Sequence, residues 1–153
     1  MTIQAPTEIY PGLWQGGLPE DWFEAWERFD VVVSLCAGPR VIPLPPRRLR
    51  VLWYIDDWTV PEDLGQLWRL VRLVAGEVGA GKRVLVHCAA GLNRSGFVAA
   101  LVYRELVECS GTEAEDRVKA LRPGSLLNPY YVAFLHRLDG IIDEASTTLG
   151  GAE

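Results

Sequence analysis

The sequence is poor in the features that stabilise small proteins from outside. Cysteine occurs only at Cys36, Cys88 and Cys109, too few and too scattered for a disulfide framework. There is no C-x-x-C pair, so no zinc site is expected, and no cofactor is expected either. No apolar run approaches the ~18–20 residues of a membrane span, so no membrane partner is expected. Positive charge is not in excess: the formal net charge is −5, which disfavours a nucleic-acid partner. The opening MTIQAPTEIYPG has no basic region followed by an apolar block, the pattern of a secretory signal. With unpaired thiols, this makes a cytoplasmic location the expectation. Internal repeats and low-complexity tracts are also missing. What remains is an ordinary globular composition of 153 residues, 49% apolar and 23% charged, expected to form one domain over 1–153 with a buried core.

Strand-like and helix-like signals alternate along the chain. VVVSL at 31–35, VLWYI at 51–55 and VLVH at 84–87 read as short buried strands. An edge strand is expected between Glu8 and Gln15. A helix is expected from Asp21 to Phe29, and another from Arg94 or Ser95 to Cys109. Thr59 to Glu62, with Pro61, reads as a capping box opening a helix to Val78. Thr112 to Glu115 reads as a second box, and Asn128-Pro129 as a cap opening a helix to Ala145. AGPRVIPLPPRR, with four prolines and three arginines, predicts an irregular loop. The first residues and the tail near TTLGGAE are expected to be flexible. The alternation implies an α/β fold with a central, mainly parallel mixed sheet flanked by helices.

The chemistry concentrates in VLVHCAAGLNRSGFVAA, residues 84–100. In open α/β sheets, ligands bind beyond the carboxyl ends of strands, where the next helices begin. Cys88 is placed there. Ala89, Ala90, Gly91, Leu92 and Asn93 must turn the chain from strand to helix, and Gly91 tolerates a positive φ. Such a loop points backbone N–H groups inward and, with the helix dipole, makes a nest for an anion. Arg94 adds a planar fork that grips two phosphate oxygens. Thiols at helix N-termini and beside cations ionise well below the ordinary 8.5. One loop therefore supplies a nucleophile and a cradle for a phosphoryl group.

His87-Cys88, five residues, Arg94 and Ser95 together resemble the CX5R signature of the cysteine-dependent protein tyrosine phosphatases. AGLNRSG, the compact chain and the opening EIYPGLWQGG resemble the dual-specificity branch. The resemblance implies a protein tyrosine phosphatase-like fold and a hydrolase acting through a phosphocysteine intermediate. It implies Cys88 as nucleophile and Arg94 with residues 89–93 as the phosphate cradle. Ser95 would be the hydroxyl that stabilises the departing thiolate. It also implies an aspartic acid on an upstream loop. Asp57, with Pro61 four residues later, fits the family spacing; Asp56 is the second candidate. The same carboxylate would then activate water.

Supporting roles follow from the same resemblance. His87 is expected to order the loop rather than to move protons, and Asn128 to brace it or simply to cap a helix. Trp58 is read as a pocket wall or a core residue, and His136 as packing. LCA at 35–37 resembles the pattern of a phosphoinositide 3-phosphatase of the superfamily, in which such a cysteine pairs with the nucleophile on oxidation. Cys36 is thereby a redox candidate.

The expected partner is a phosphorylated protein or another phosphomonoester. AAGLN carries no basic residue, unlike many phosphoinositide phosphatases, and no counterpart of a deep phosphotyrosine-pocket loop is evident. A shallow site for phosphotyrosine, with phosphoserine or phosphothreonine, is expected. GLNRSG also resembles the GxNRTG pattern of RNA 5′-triphosphatases, for which Arg47, Arg48 and Arg50 would be a polyphosphate patch. The motif is also compatible with a phosphoinositide phosphatase and with a non-catalytic phosphate-binding module.

Overall fold

A computed structural model describes residues 4–39 and 41–149, with side chains described as far as residue 140. The expected flexibility of residues 1–3 and 150–153 lies outside these, while residues 147–149 of the expected flexible tail are helical. The chain order is β1 (Thr7–Tyr10), β2 (Leu13–Gly16), α1 (Trp22–Arg28), β3 (Val31–Ser34), β4 (Leu49–Leu52), α2 (Leu64–Gly79), β5 (Val84–His87), α3 (Arg94–Val107), α4 (Gly111–Leu121) and α5 (Pro129–Leu149). The strands form one sheet in the order β1-β2-β5-β3-β4. Only β1–β2 is antiparallel; β2–β5, β5–β3 and β3–β4 are parallel. The expected α/β class with a mainly parallel mixed sheet is the observed one.

Both faces of the sheet are covered, which explains its continuous apolar strands. Side chains alternate across a strand with period two. Val31, Val33, Val84 and Val86 join the core formed with α2 to α5. Val32 and Leu85 instead meet Trp22, Ala25, Trp26 and Phe29 on the α1 side. Each fully buried valine, leucine or phenylalanine contributes about 1.5–3 kcal/mol before entropy is charged against it.

Several boundaries differ from the sequence expectation. The edge strand is a hairpin: Pro11-Gly12 turns the chain, with Gly12 at φ 90°, the proline-then-glycine order that a type II turn selects. The strand expected at 51–55 is shifted to Leu49–Leu52 by its register with β3. The cap of α2 is Asp63, whose carboxylate accepts from Gln66 N, not Thr59. That later start leaves Thr59 to Glu62 in the loop after β4. The cap of α4 is Ser110, which accepts from Glu113 N, not Thr112. The Thr112 hydroxyl donates instead to Asp139 of α5, whose carboxylate also accepts from the Gly111 and Thr112 amides at 2.6 and 3.3 Å. The Asn128 cap is as expected, with Oδ1 accepting from Tyr130 N at 2.9 Å. AGPRVIPLPPRR has no regular element among its described residues.

Candidate active site

β5 lies between β2 and β3, so its carboxyl end opens at the middle of the sheet edge where ligands bind in α/β folds. Cys88 follows it, 2% exposed. Its backbone N–H donates to Gly16 O at 3.3 Å, and Leu18 N donates to Ala89 O at 3.1 Å. The loop after Cys88 is thus sewn to the end of β2. Cys88 Sγ lies 3.3 Å from Ser95 Oγ, itself buried in the first turn of α3. A thiol donates across that contact; a thiolate accepts from the hydroxyl.

Gly91 is the pivot of the turn, at φ 76°. A Cβ there would meet Gly17 N at 2.4 Å and Gly16 C at 2.5 Å, so any side chain would push the loop off β2. Its carbonyl accepts from Gln15 Nε2 at 3.0 Å and from Arg122 Nε at 2.7 Å. The Arg122 fork also donates to Ala5 O at 2.7 Å and Thr7 Oγ1 at 3.0 Å. Arg122 is fully buried, and burial pushes its pKa down while the nearby Cys88 opposes this. Gln15 also donates to Ser125 Oγ at 3.0 Å. These contacts fix the Gly91 carbonyl to the protein; an anion would meet the opposite, amide side of such a loop.

Asn93 precedes α3 but makes no side-chain cap. Its Oδ1 accepts instead from the Leu127 and Asn128 amides at 2.9 and 3.1 Å. The first-turn amides of α3, orphaned as at any helix start, are therefore not used by their own cap. Arg94 heads the same turn, and its Nη1 donates to Ile55 O at 3.4 Å.

Ile55 leads into the loop that carries the two aspartates. Asp56 is exposed, and its carbonyl accepts from Tyr131 Oη at 2.6 Å. Asp57 is half-buried, with Oδ1 shielded and free of any hydrogen bond among the described residues. Its carbonyl accepts from Asn128 Nδ2 at 2.8 Å. Asn128 thus joins the aspartate loop, through Asn93, to the loop after Cys88.

His87 is fully buried, with Nε2 2.6 Å from Ser34 Oγ and Nδ1 3.3 Å from Cys88 O. Burial pulls its pKa down to about 4, with the Arg50 charge acting in the same direction and the Cys88 carbonyl against it. Cys36 is buried in the same core cluster as Cys88, and both are free thiols. Burial pushes the Cys36 thiol up, and the Cys88 charge adds to that.

The structure brings Cys88, the 89–93 loop, Arg94, Ser95, Asn128 and the Asp57 loop together by this bond network. It corrects three other readings. Trp58 is 76% exposed, so it is not a core residue. His136 is exposed rather than packed, its Nε2 2.8 Å from Glu115 Oε2. Two of the three arginines are already engaged, while Arg47 is exposed: Arg48 donates to Trp26 O and pairs with Asp30 at 3.5 Å. Arg50 donates to Pro39 O at 3.0 Å and stacks over Trp22. Gln15, Tyr131 and Arg122 carry no signal in the sequence. Each resembles an ordinary strand or helix residue, and its partners lie far away along the chain.

Fold and site together fit a phosphate-handling cysteine enzyme, and sequence comparison gives the class. Residues 46–132 match the protein-tyrosine phosphatase family, and the chain belongs to it as a cysteine-dependent phosphatase. Among solved structures it is similar to Tk-PTP in the active form, at 26% identity and TM-score 0.75, covering 88% of this chain and 96% of that one. It shares its fold with human DUSP28, at 20% identity and TM-score 0.74, covering 91% and 99%. The fold of a human tyrosine phosphatase-like serine/threonine/tyrosine-interacting protein is also similar, at 19% identity and TM-score 0.71, covering 90% and 97%. No curated protein matches the sequence. Among the described residues, no helix is long and apolar enough to cross a membrane.

Proposed function

We propose that this phosphatase hydrolyses phosphomonoesters in two steps, with phosphotyrosine in proteins as the preferred substrate and phosphoserine or phosphothreonine as further ones. In the first step, the Cys88 thiolate attacks phosphorus. The bond to the leaving oxygen breaks, and Asp57 gives that oxygen its proton. In the second, water attacks the cysteinyl-phosphate, Asp57 takes the proton, and the thiolate leaves toward the Ser95 hydroxyl. Arg94 and the 89–93 amides hold the equatorial oxygens throughout.

The observation that carries this reading is the 3.3 Å approach of Cys88 Sγ to Ser95 Oγ at the start of α3, an end its own N-cap side chain leaves uncapped. The phosphotyrosine preference rests on two features. Residues 89–93 carry no charge, and Trp58, Leu127 and Tyr130 are exposed apolar side chains flanking the Asp57–Asn128 contact. Arg48 and Arg50 are engaged with backbone and Asp30, which gives a polyphosphate substrate no support.

Turnover of phosphotyrosine peptide, phosphoinositide and triphosphorylated RNA tests the substrate. Only the peptide is expected to turn over well. Cys88→Ser should abolish activity. Asp57→Asn should lower kcat/KM on phosphotyrosine by about 10²–10⁴ and much less on an aryl phosphate with an acidic phenol. If Asp56→Asn gives that pattern instead, the acid is Asp56.

A further inference from the structure

We infer that Tyr131 is a positioning residue for the general acid, acting through its hydroxyl on the backbone of the loop that carries Asp57. This rests on the phosphatase reading above. Residues 53–63 contain no helix or strand, so the direction of the Asp57 carboxyl depends on what holds the loop. Three successive carbonyls are held by three different side chains. Ile55 O accepts from Arg94, Asp56 O from Tyr131 and Asp57 O from Asn128. Arg94 belongs to the phosphate cradle, and its reach to Ile55 is long at 3.4 Å. The Tyr131 bond is the shortest of the three at 2.6 Å.

Tyr131 is also the best anchored of the three. It is fully buried, and its ring stacks on Phe97 of α3 with centroids 4.4 Å apart and planes 8° from parallel. Phe97 lies three residues after Arg94 on the helix that follows the cradle. The phenol therefore fixes the acid loop to the same rigid body that fixes the phosphate. Burial pushes its ionisation far above the ordinary range, with the Asp57 charge adding to this, so the hydroxyl stays a donor at every working pH.

Tyr131→Phe keeps the ring and its stack while leaving the Asp56 carbonyl unpaired. It tests the inference alone and combined with Asp57→Asn, by kcat/KM on phosphotyrosine and on an aryl phosphate with a strongly acidic phenol. The expected result is a loss of about 3- to 10-fold on phosphotyrosine, the range one hydrogen bond spans. The activated substrate, which needs little proton donation, should lose almost nothing. Added to Asp57→Asn, the change should cost nothing further, because the acid it positions is already gone. Equal losses on both substrates, a full multiplicative loss in the double variant, or unaltered kinetics would each overturn the inference. Absence of turnover by the wild-type protein, by contrast, would overturn the phosphatase reading and this inference with it.

Discussion

At the scale of single residues, the neighbour of the nucleophile shows how burial decides a role. A carbonyl only accepts, so His87 Nδ1, 3.3 Å from Cys88 O, carries the proton of the neutral ring, and Nε2 accepts from Ser34. Both nitrogens are committed, and the ring cannot relay protons for the substrate. Its folded pKa, about 4 against 6.5, has a sign that can be worked out. Between those values the unfolded chain binds more protons than the folded one, so stability falls as pH falls through that window. The loss is on the order of 3 kcal/mol. Urea unfolding of wild type and His87→Gln across this window should show a shallower acid slope for the variant; parallel slopes would refute the assignment. The grouping of His87, Cys88, Gly91 and Arg94 around one loop was legible in sequence, because they are near neighbours in the chain. The exposure of His136, and the choice between pocket wall and core for Trp58, were not, because hydrophobicity and neighbours say little about which side of a loop or helix faces water.

At the scale of elements, the relevant fact is that β3 and β5 pair in parallel register, Ser34 opposite His87. Their continuations bring Cys36 and Cys88 into one cluster, although the two are far apart in sequence. We propose that Cys36 protects the nucleophile. Peroxide would convert the Cys88 thiolate to a sulfenic acid, releasing hydroxide; the Cys36 thiol would then displace water and form a disulfide. After peroxide and then dithiothreitol, the wild type should regain most of its activity. Cys36→Ser should regain less and accumulate sulfinic acid at Cys88. Equal recovery would leave Cys36 a packing residue. The helix starts show why element boundaries were harder to read than element types. Thr112 sits in a plausible capping box, yet Asp139 from another helix takes its hydroxyl and two amides of α4. Local sequence does not record a competitor that arrives from a different element.

At the scale of the molecule, the alternation of apolar runs with amphipathic stretches was enough for the layer order, since only covered sheets tolerate strands as apolar as β3 and β5. The ties that hold the site in place were not legible. Arg122 reads as a cation at a helix end, a favourable surface position. In the fold it is buried and spans from Ala5 and Thr7 to Gly91. Its donors meet carbonyls and a hydroxyl rather than a carboxylate, so no charge pattern in the sequence points to it. In the mechanism proposed here, the whole arrangement, from that buried fork through the loop to the Asp57 loop held by α5, serves one chemical step: a covalent bond between phosphorus and Cys88 Sγ. The most direct test is to mix the protein with a phosphotyrosine peptide, quench with acid within the first turnovers, and map the chain by mass spectrometry. The expected result is the mass of one phosphoryl group on the peptide bearing Cys88, lost in Cys88→Ser. Turnover with the phosphoryl group on another residue, or without any phosphoenzyme, would contradict it.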